Sequence, residues 1–527
     1  MRTLRSYADP VLTCQFSGEF EAGLLCDSEA EWSAMQAAGL GLSNAVLRDY
    51  RELAEIPRDL RVLALVGKGH NGGDALLACD HILKERSGSR VYVLLSASPD
   101  RIKPLARKAF DQLDGRAELL VLEGGESVAE IQSELARFSG GCDFHICLDG
   151  LVGFNFKPPL RVPISNLIAA VNGYAGIRLR AAVDLPSGCG DVSDSQSFRA
   201  DFTYATGIVK RGLFEGNASC GRVRYLDLGF FADEAAGVAS SEYILTSRVL
   251  APMQQLRPAE ADKRTFGHLF IVGGSAGMPG ALLMSVRAAV RSGVGLVTAF
   301  APTSVVASLA AQVPEAMWVA WPETDAGTLS ASGCSLLWER LTQATAVLCG
   351  PGLGQGTDVS DLVQQIAVRV RQPLLLDADA LQPEFLVKLS ERGEAFGPVV
   401  LTPHMGEFMR MCGLVESDYS SDSLREFSGR YRVLTVLKCA HTRICDGTNL
   451  VYNLSGGPVL SRGGSGDLLA GLTGGQLAQG FDSAFESVAQ GVALHGAAAE
   501  CLARDKGQCL VAAPQLLEYL PQVLREL

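Results

Sequence analysis

With 527 residues, 47% of them hydrophobic and 20% charged, the chain is too long for one core, and roughly two to four packed domains are expected. A net charge of −12 supplies no basic surface for nucleic acid, and the most apolar stretch, Ala281 to Ala301, is broken by Arg287 and Arg291, which argues against a membrane span. Fourteen cysteines without a C-x-x-C pair, behind an N-terminus with no apolar leader, read as reduced thiols in a cytoplasmic protein.

The first twenty-five residues show no clear period. From Ser28 to Arg51, Ala30, Met35, Ala38 and Leu42 recur among polar neighbours at helical spacing. Short runs then alternate with helical segments: Arg61–Val66, Val91–Leu95, Phe144–Leu148, Arg178–Val183, Phe202–Ala205 and Val223–Leu226. They are almost continuously apolar, as strands buried on both faces of a parallel sheet must be. The text loosens from Ala232 to Ser241 and again from Pro252 to Asp262, which places a domain boundary near residue 240 and a connector reaching to about 262. A second series follows: Leu269–Gly273, Leu296–Ala299, Trp318–Trp321, Ala346–Cys349, Leu374–Asp377, Val399–Thr402 and Leu434–Lys438, then a hairpin from Thr442–Cys445 to Leu450–Tyr452 across Asp446-Gly447. The expected fold is α/β, with two tandem three-layer αβα domains, residues 1–240 and 241–527.

Each domain carries its own polar strand ends. In the first, Val66-Gly67-Lys68-Gly69-His70-Asn71-Gly72-Gly73-Asp74 formally matches G-x-G-x-x-G. The next strand ends in Ser96-Ala97-Ser98, however, where a dinucleotide fold of the dehydrogenase kind wants a carboxylate for the ribose. Asp74, Asp149 and Asp184 fall where a parallel sheet opens its ligand crevice, although each alone reads equally well as a cap or turn residue. In the second, Ser461-Arg462-Gly463-Gly464-Ser465-Gly466-Asp467 runs into an apolar helix. A glycine loop feeding a helix N-terminus suits phosphate, and a carboxylate beside it suits proton removal from an attacking hydroxyl. The bland alternative is a capping aspartate. No P-loop consensus is present.

Taken together, Gly67–Asp74, Asp149-Gly150-Leu151-Val152-Gly153 and Asp184-Leu185-Pro186-Ser187-Gly188 resemble the NAD(P)H-hydrate epimerases, a Rossmann-like family. The resemblance implies that His70, Asn71, Gly72, Gly73, Asp74, Gly153, Phe154, Asn155, Phe156, Lys157 and Asp184 meet the hydrated nucleotide. It also implies that Asn71, Asp149 and Ser187 hold K⁺, with Asp149 counted as catalytic too. The Met-Glu-Asn segment usual before the first strand has only a loose echo in Ser43-Asn44-Ala45-Val46, and His70 stands for the usual Asn.

The second half, from about Lys263 to Gly480, resembles the ADP/ATP-dependent NAD(P)H-hydrate dehydratases of ribokinase-like fold. That likeness rests on Val272-Gly273-Gly274-Ser275, Gly350-Pro351-Gly352-Leu353-Gly354, Leu376-Asp377-Ala378-Asp379, Thr402-Pro403-His404-Met405-Gly406-Glu407, Lys438–Thr442 and the glycine loop, in the family's order. It implies that Lys438, Cys439, Ala440, His441, Thr442, Gly463, Gly464 and Gly466 bind ADP or ATP with Mg²⁺, Cys439 replacing the usual glycine. Ala281, Gly352, His404 and Asp467 would meet the substrate, Asp467 as catalytic base. Fusion of the two implies repair of NADHX and NADPHX, by epimerisation of the R and S forms and ADP-dependent dehydration of S with release of AMP and phosphate, in a homo-oligomer without membrane or nucleic-acid partners. A ribokinase-like small-molecule kinase with a degenerate N-terminal binding domain, and a nucleotide-binding scaffold with dead sites, are the competing expectations.

Overall fold

The computed structural model describes residues 3–214, 218–232, 238, 240–393, 395–415, 418–480 and 483–526. Most of the loosened stretch expected to bear the boundary, residues 233–237 and 239, lies outside them. Contacts divide the chain into Pro10–Ser240 and a second unit in which Met1–Asp9 join Ser241–Leu527.

In the first unit seven parallel strands stand in the order Ala117–Val121, Arg90–Leu95, Arg61–Val66, Phe144–Gly150, Ile177–Val183, Phe202–Thr206, Arg222–Leu226. Alternate residues of one strand serve opposite faces. Val62, Ala64 and Val66 pack with Leu42, Val46 and Leu76 of two helices, whereas Leu63 and Leu65 pack with Ile131, Leu167 and Ile168. Strand order reverses between Arg61–Val66 and its neighbour Phe144–Gly150, so loops leaving these strands diverge and open a crevice at their carboxyl ends. Several elements escaped the sequence reading. Ala117–Val121 is a sheet edge with mostly exposed side chains, and so lacks the apolar run of an interior strand. The first twenty-five residues, expected to be irregular, hold the strand Ala8–Leu12 and the helix Cys14–Leu24, whose cap Thr13 accepts a hydrogen bond from the Phe16 amide at 3.2 Å.

The second unit is built on a sheet ordered Met317–Trp321, Leu296–Pro302, His268–Val272, Ala346–Cys349, Leu374–Leu376, Val399–Leu401, Leu434–Leu437, Thr442–Cys445, Leu450–Asn453, Glu242–Leu245. Pairing is parallel as far as Leu434–Leu437, then antiparallel through the expected hairpin. Asp446 closes that hairpin by accepting the Thr448 and Asn449 amides at 2.8 and 2.7 Å. Glu242–Leu245 was expected in a connector and is a strand, parallel to Leu450–Asn453. One face of the sheet is covered by the helices Pro279–Arg291, Ser465–Ala478 and Ala484–Lys506 through Leu269, Ile271 and Leu348. On the other, Phe270, Phe300 and Trp321 meet edge to face, with centroids 5.3 and 5.8 Å apart.

The architecture is therefore the expected α/β one with parallel sheets and helices on their faces. All fourteen cysteines are free, and among the described residues no helix is long and apolar enough to cross a membrane.

Candidate active sites of the two units

At the carboxyl edge of the first sheet lies a cavity of about 1790 Å³. Its wall carries His70, Asn71, Asp74, Gly153, Phe154, Asn155, Phe156, Lys157 and Asp184. The turn after Arg61–Val66 is shaped by close approach: a Cβ on Gly67 would stand 1.8 Å from the Leu151 carbonyl oxygen. The helix His70–Glu85 begins here with Gly69 as cap, so first-turn amides and an exposed imidazole border the opening. Burial, then the nearby Lys103 ammonium, holds His70 below the ordinary imidazole value. Gly72 and Gly73 are behind the wall, where side chains would run into the Gly67 carbonyl and the Met35 methyl.

Asp149 and Ser187 are also behind that wall. The Asp149 carboxylate is wholly buried and accepts the Ser187 hydroxyl and amide, both at 2.7 Å, and the Leu151 amide at 3.3 Å. Burial pushes its carboxyl up to about 6, against the pull of those hydrogen bonds. With both oxygens engaged below the surface, this carboxylate is out of reach of a ligand in the cavity. The structure thus sets Asp149, expected to be catalytic, off the cavity wall. Asn71 donates to the Val183 carbonyl at 3.0 Å, and its own carbonyl oxygen faces Gly153, while Ser187 accepts the Val152 amide at 2.9 Å. The fold thus gathers Asn71, Asp149 and Ser187 around Val152-Gly153. Ser43 and Asn44, the loose echo, are not on the cavity wall, whereas Ala34, Met35 and Ala38 of the same helix are.

In the second unit the polar strand ends are tied to one another. Asp377, following Leu374–Leu376, is buried and accepts Thr402 Oγ1 at 2.7 Å and Lys438 Nζ at 2.8 Å. Asp379 accepts the Gly354 amide at 2.9 Å, which fixes the Gly350–Gly354 turn. Burial pulls the Lys438 ammonium down, but the Asp377 and Glu407 carboxylates outweigh it and hold it above its ordinary value. The ammonium lies beside the glycine loop, 3.4 Å from where a Cβ of Gly466 would be. Gly464 caps the helix Ser465–Ala478 at φ +89°, and a Cβ there would strike Met284 Sδ at 2.3 Å.

Asp467, in the first turn, is half-buried. Its backbone carbonyl accepts Ser285 Oγ at 3.0 Å from the helix that carries Ala281. Burial, then the Asp377 charge, pushes its carboxyl up to about 7 against the pull of Lys438. Ala281 and Gly352 are neighbours, a Cβ on Gly352 falling 3.0 Å from that of Ala281. His404 caps the helix Met405–Cys412: its Nδ1 accepts the Glu407 amide at 3.2 Å, and Glu407 accepts the His404 amide at 2.8 Å. The imidazole is therefore committed to the cap on one side, with Nε2 3.5 Å from Glu407 on the other. Backbone pairing of His404 with Lys438 brings the two segments together. In the segment Lys438–Thr442 the Cys439 thiol turns onto the His441 carbonyl at 3.0 Å, while Ala440 is exposed. Gly463 is exposed, with nothing within 4 Å of its Cβ direction.

Sequence reasoning missed Glu21, Lys210 and His495. Lys210 ends a short strand and is buried, the signal that marked Lys438; Glu21 lay in a stretch without a period. His495 reaches Ser465 at 3.4 Å beneath the glycine loop, with burial pulling it down to about 4.

Comparison with known proteins adds a second kind of observation. A model described as NAD(P)H-hydrate dehydratase matches residues 269–522, and one described as YjeF-related protein N-terminus matches residues 33–212. The bifunctional NAD(P)H-hydrate repair enzyme of Moorella thermoacetica is 33% identical over 509 residues, covering 94% of this chain and 92% of the relative. The chain belongs to the family of bifunctional NAD(P)H-hydrate repair enzymes. Its Gloeobacter violaceus member is 34% identical over 497 residues, covering 92% of each. Among solved structures, the ADP/ATP-dependent NAD(P)H-hydrate dehydratase of Bacillus subtilis co-crystallised with ATP and Mg²⁺ is 28% identical, with a TM-score of 0.46, covering 55% of this chain and 99% of its own. Family membership across both halves sets aside the alternative of a ribokinase-like small-molecule kinase with a degenerate N-terminal binding domain.

Proposed function

We propose that this chain repairs hydrated NADH and NADPH, the unit Pro10–Ser240 exchanging the R and S epimers and the unit containing Ser241–Leu527 dehydrating the S epimer with ADP or ATP. The observation that carries the reading is the placement of Asp467: a half-buried carboxyl at a helix N-terminus, facing a lysine that ends a parallel strand. A phosphoryl group held by the glycine-loop amides and Lys438 lies beside a base able to accept a proton near neutral pH.

Asp467 takes the proton from the C6 hydroxyl of the hydrated ring as that oxygen attacks the terminal phosphorus. The hydroxyl, a poor leaving group, becomes a phosphate ester. The ring-nitrogen lone pair then expels phosphate, and loss of a proton from C5 restores the double bond, so ADP gives AMP and phosphate. Lys438 neutralises charge on the transferring oxygens, and Ala281 and Gly352, lacking bulk, leave room for the ring.

Two ions belong to this reading. Asn71, Asp149 and Ser187 supply the hard oxygens that suit K⁺, and among the described residues no group of three His, Cys, Asp or Glu side chains competes as a metal site. Bound there, the ion would fix the Val152–Gly153 turn against the substrate. Asp377 and Asp379 would serve Mg²⁺, which takes few carboxylates and many phosphate oxygens and neutralises phosphate charge when bound.

The test is to give the purified chain separated R and S epimers of NADHX with ADP, then with ATP, and to follow recovery of reduced-nicotinamide absorbance. Recovery from both epimers is expected. Recovery from S alone would leave the first unit without its activity, and a phosphorylated product that accumulates would overturn the dehydratase reading.

A further inference from the structure

The helix Cys14–Leu24 brings Glu21 to the wall of the first unit's cavity, among groups that the proposed function leaves without a role. Behind it the Lys210 ammonium, from a residue with no exposed surface, lies 2.5 Å from Asp184 Oδ1 and 3.9 Å from Glu21 Oε1. The same ammonium is 5.1 Å from the centre of the Phe154 ring, so one face of it is closed by an aromatic wall. Asp74 faces the same cavity at 7% exposure, and its buried Oδ1 has no hydrogen-bond partner among the described residues.

Glu21 and Asp184 therefore share one cation, and Asp74 adds a third carboxyl whose charge is felt in the same cluster. Such a group retains at least one proton near neutral pH, because the low-dielectric surroundings do not support the extra negative charges. The directions agree. Burial, with Asp184 adding to it, pushes Glu21 up to about 7 while Lys210 pulls it down. Burial, then Asp184 and Glu21, hold Asp74 well above the carboxylate range. Only Glu21 combines this setting with access: its side chain is 23% exposed, toward the cavity it lines, whereas Lys210 is sealed.

We propose that Glu21 is a catalytic carboxyl of the epimerisation and that Lys210 is its positioning residue. The inference rests on reading the first unit as the epimerase. In the hydrated ring, C6 carries a hydroxyl next to the ring nitrogen. Glu21 in its acid form gives its proton to that oxygen. The C6–O bond breaks with both electrons leaving on water, and the nitrogen lone pair forms a nitrogen–C6 double bond. Water then adds to the opposite face of C6, the double-bond electrons return to nitrogen, and the surplus proton passes through cavity water back to the Glu21 carboxylate. One water leaves and one enters, nothing is oxidised or reduced, and the stereocentre is inverted. Lys210, placed against Glu21 and Asp184, sets the pH at which Glu21 gives up its proton.

The experiment uses the full chain, R-NADHX and ADP, with dehydration in the second unit reporting S epimer as it forms and S-NADHX itself as internal control. Glu21→Gln is expected to slow consumption of R, above the spontaneous background, by about 10²-fold or more, with consumption of S unchanged. Glu21→Asp is expected to recover part of the rate. Lys210→Met removes the charge that pulls Glu21 down, so the fall in R-epimer kcat/KM with rising pH, centred near 7 in the unaltered chain, should move to higher pH. An E21Q chain that epimerises at the unaltered rate overturns the proposal while leaving the epimerase reading intact. An unaltered chain that never consumes R overturns both. Should E21Q fail to fold, a flat pH profile for R from about 6 to about 8 in the unaltered chain overturns the role of Glu21.

Discussion

Asp467 illustrates how one side chain is made both useful and expensive to keep. Half-buried near the Asp377–Lys438 pair, its carboxyl is pushed up to about 7, above the ordinary carboxylate range. As a base it must be ionised, so kcat/KM for S-NADHX should rise with pH through a limb near 7 and fall about tenfold for each unit below it. Asp467→Asn should reduce dehydration by about 10² to 10⁴-fold with little change in nucleotide affinity, and full activity in that variant would remove it as the base. The sign for stability is opposite. A carboxyl raised in the folded state favours folding below its unfolded value near 4, and that contribution is lost as pH rises through about 7. The D467N chain should therefore melt higher than the unaltered one at pH about 8, with the difference vanishing near pH about 4; calorimetry at the two pH values checks it. Asp467 was legible in the sequence because a glycine loop announced it. Glu21 was not, since nothing local marks a glutamate whose partners, Asp184 and Lys210, are far along the chain.

At the scale of elements, the proposed nucleotide end of the second unit rests on a helix start and a strand end meeting. The strand Leu434–Leu437 delivers Lys438 to buried Asp377, and the loop before Ser465–Ala478 delivers Gly464 in the left-handed region against Met284. Gly464→Ala adds a methyl where φ is +89° and Met284 Sδ would be 2.3 Å away, so a loss of about 2 kcal/mol or more is expected, together with weaker ADP binding; thermal melts with and without ADP measure both. Lys438→Met leaves the Asp377 carboxylate buried without its cation, a loss of about 3–5 kcal/mol in comparable pairs. Adding Asp377→Asn should restore most of the stability but not the nucleotide affinity, and recovery of affinity in the double variant would show Lys438 to be structural only. The interior strands of both sheets were legible because burial on both faces leaves a continuous apolar run, as in Ala346–Cys349. The edge strands Met317–Trp321 and Arg222–Leu226 were legible too, but two others were not: Ala117–Val121 alternates too little, and Ala8–Leu12 carries Asp9 and Pro10.

For the molecule as a whole, two units of one chain are assigned successive steps of one repair, and the first step has value only when the second follows. The S epimer is what the second unit consumes, so R is recovered only through exchange. The two proposed chemistries draw on separate residues, Glu21 with Asn71 and its neighbours in one unit and Asp467 in the other. The sequence showed this division through two series of strand-end motifs, but it gave no sign that the first nine residues belong with the second unit. If the steps are chemically independent, a chain with Asn71→Ala should dehydrate S-NADHX normally and leave R to its slow spontaneous exchange. A chain with Asp467→Asn should do the reverse, equilibrating R and S without restoring NADH. Mixing the two variants should recover ADP-dependent conversion of R, at a rate that rises with the concentration of each, because the free S epimer carries the intermediate from one chain to another. No recovery on mixing, with each variant retaining its own single activity, would mean that the intermediate passes only within one chain.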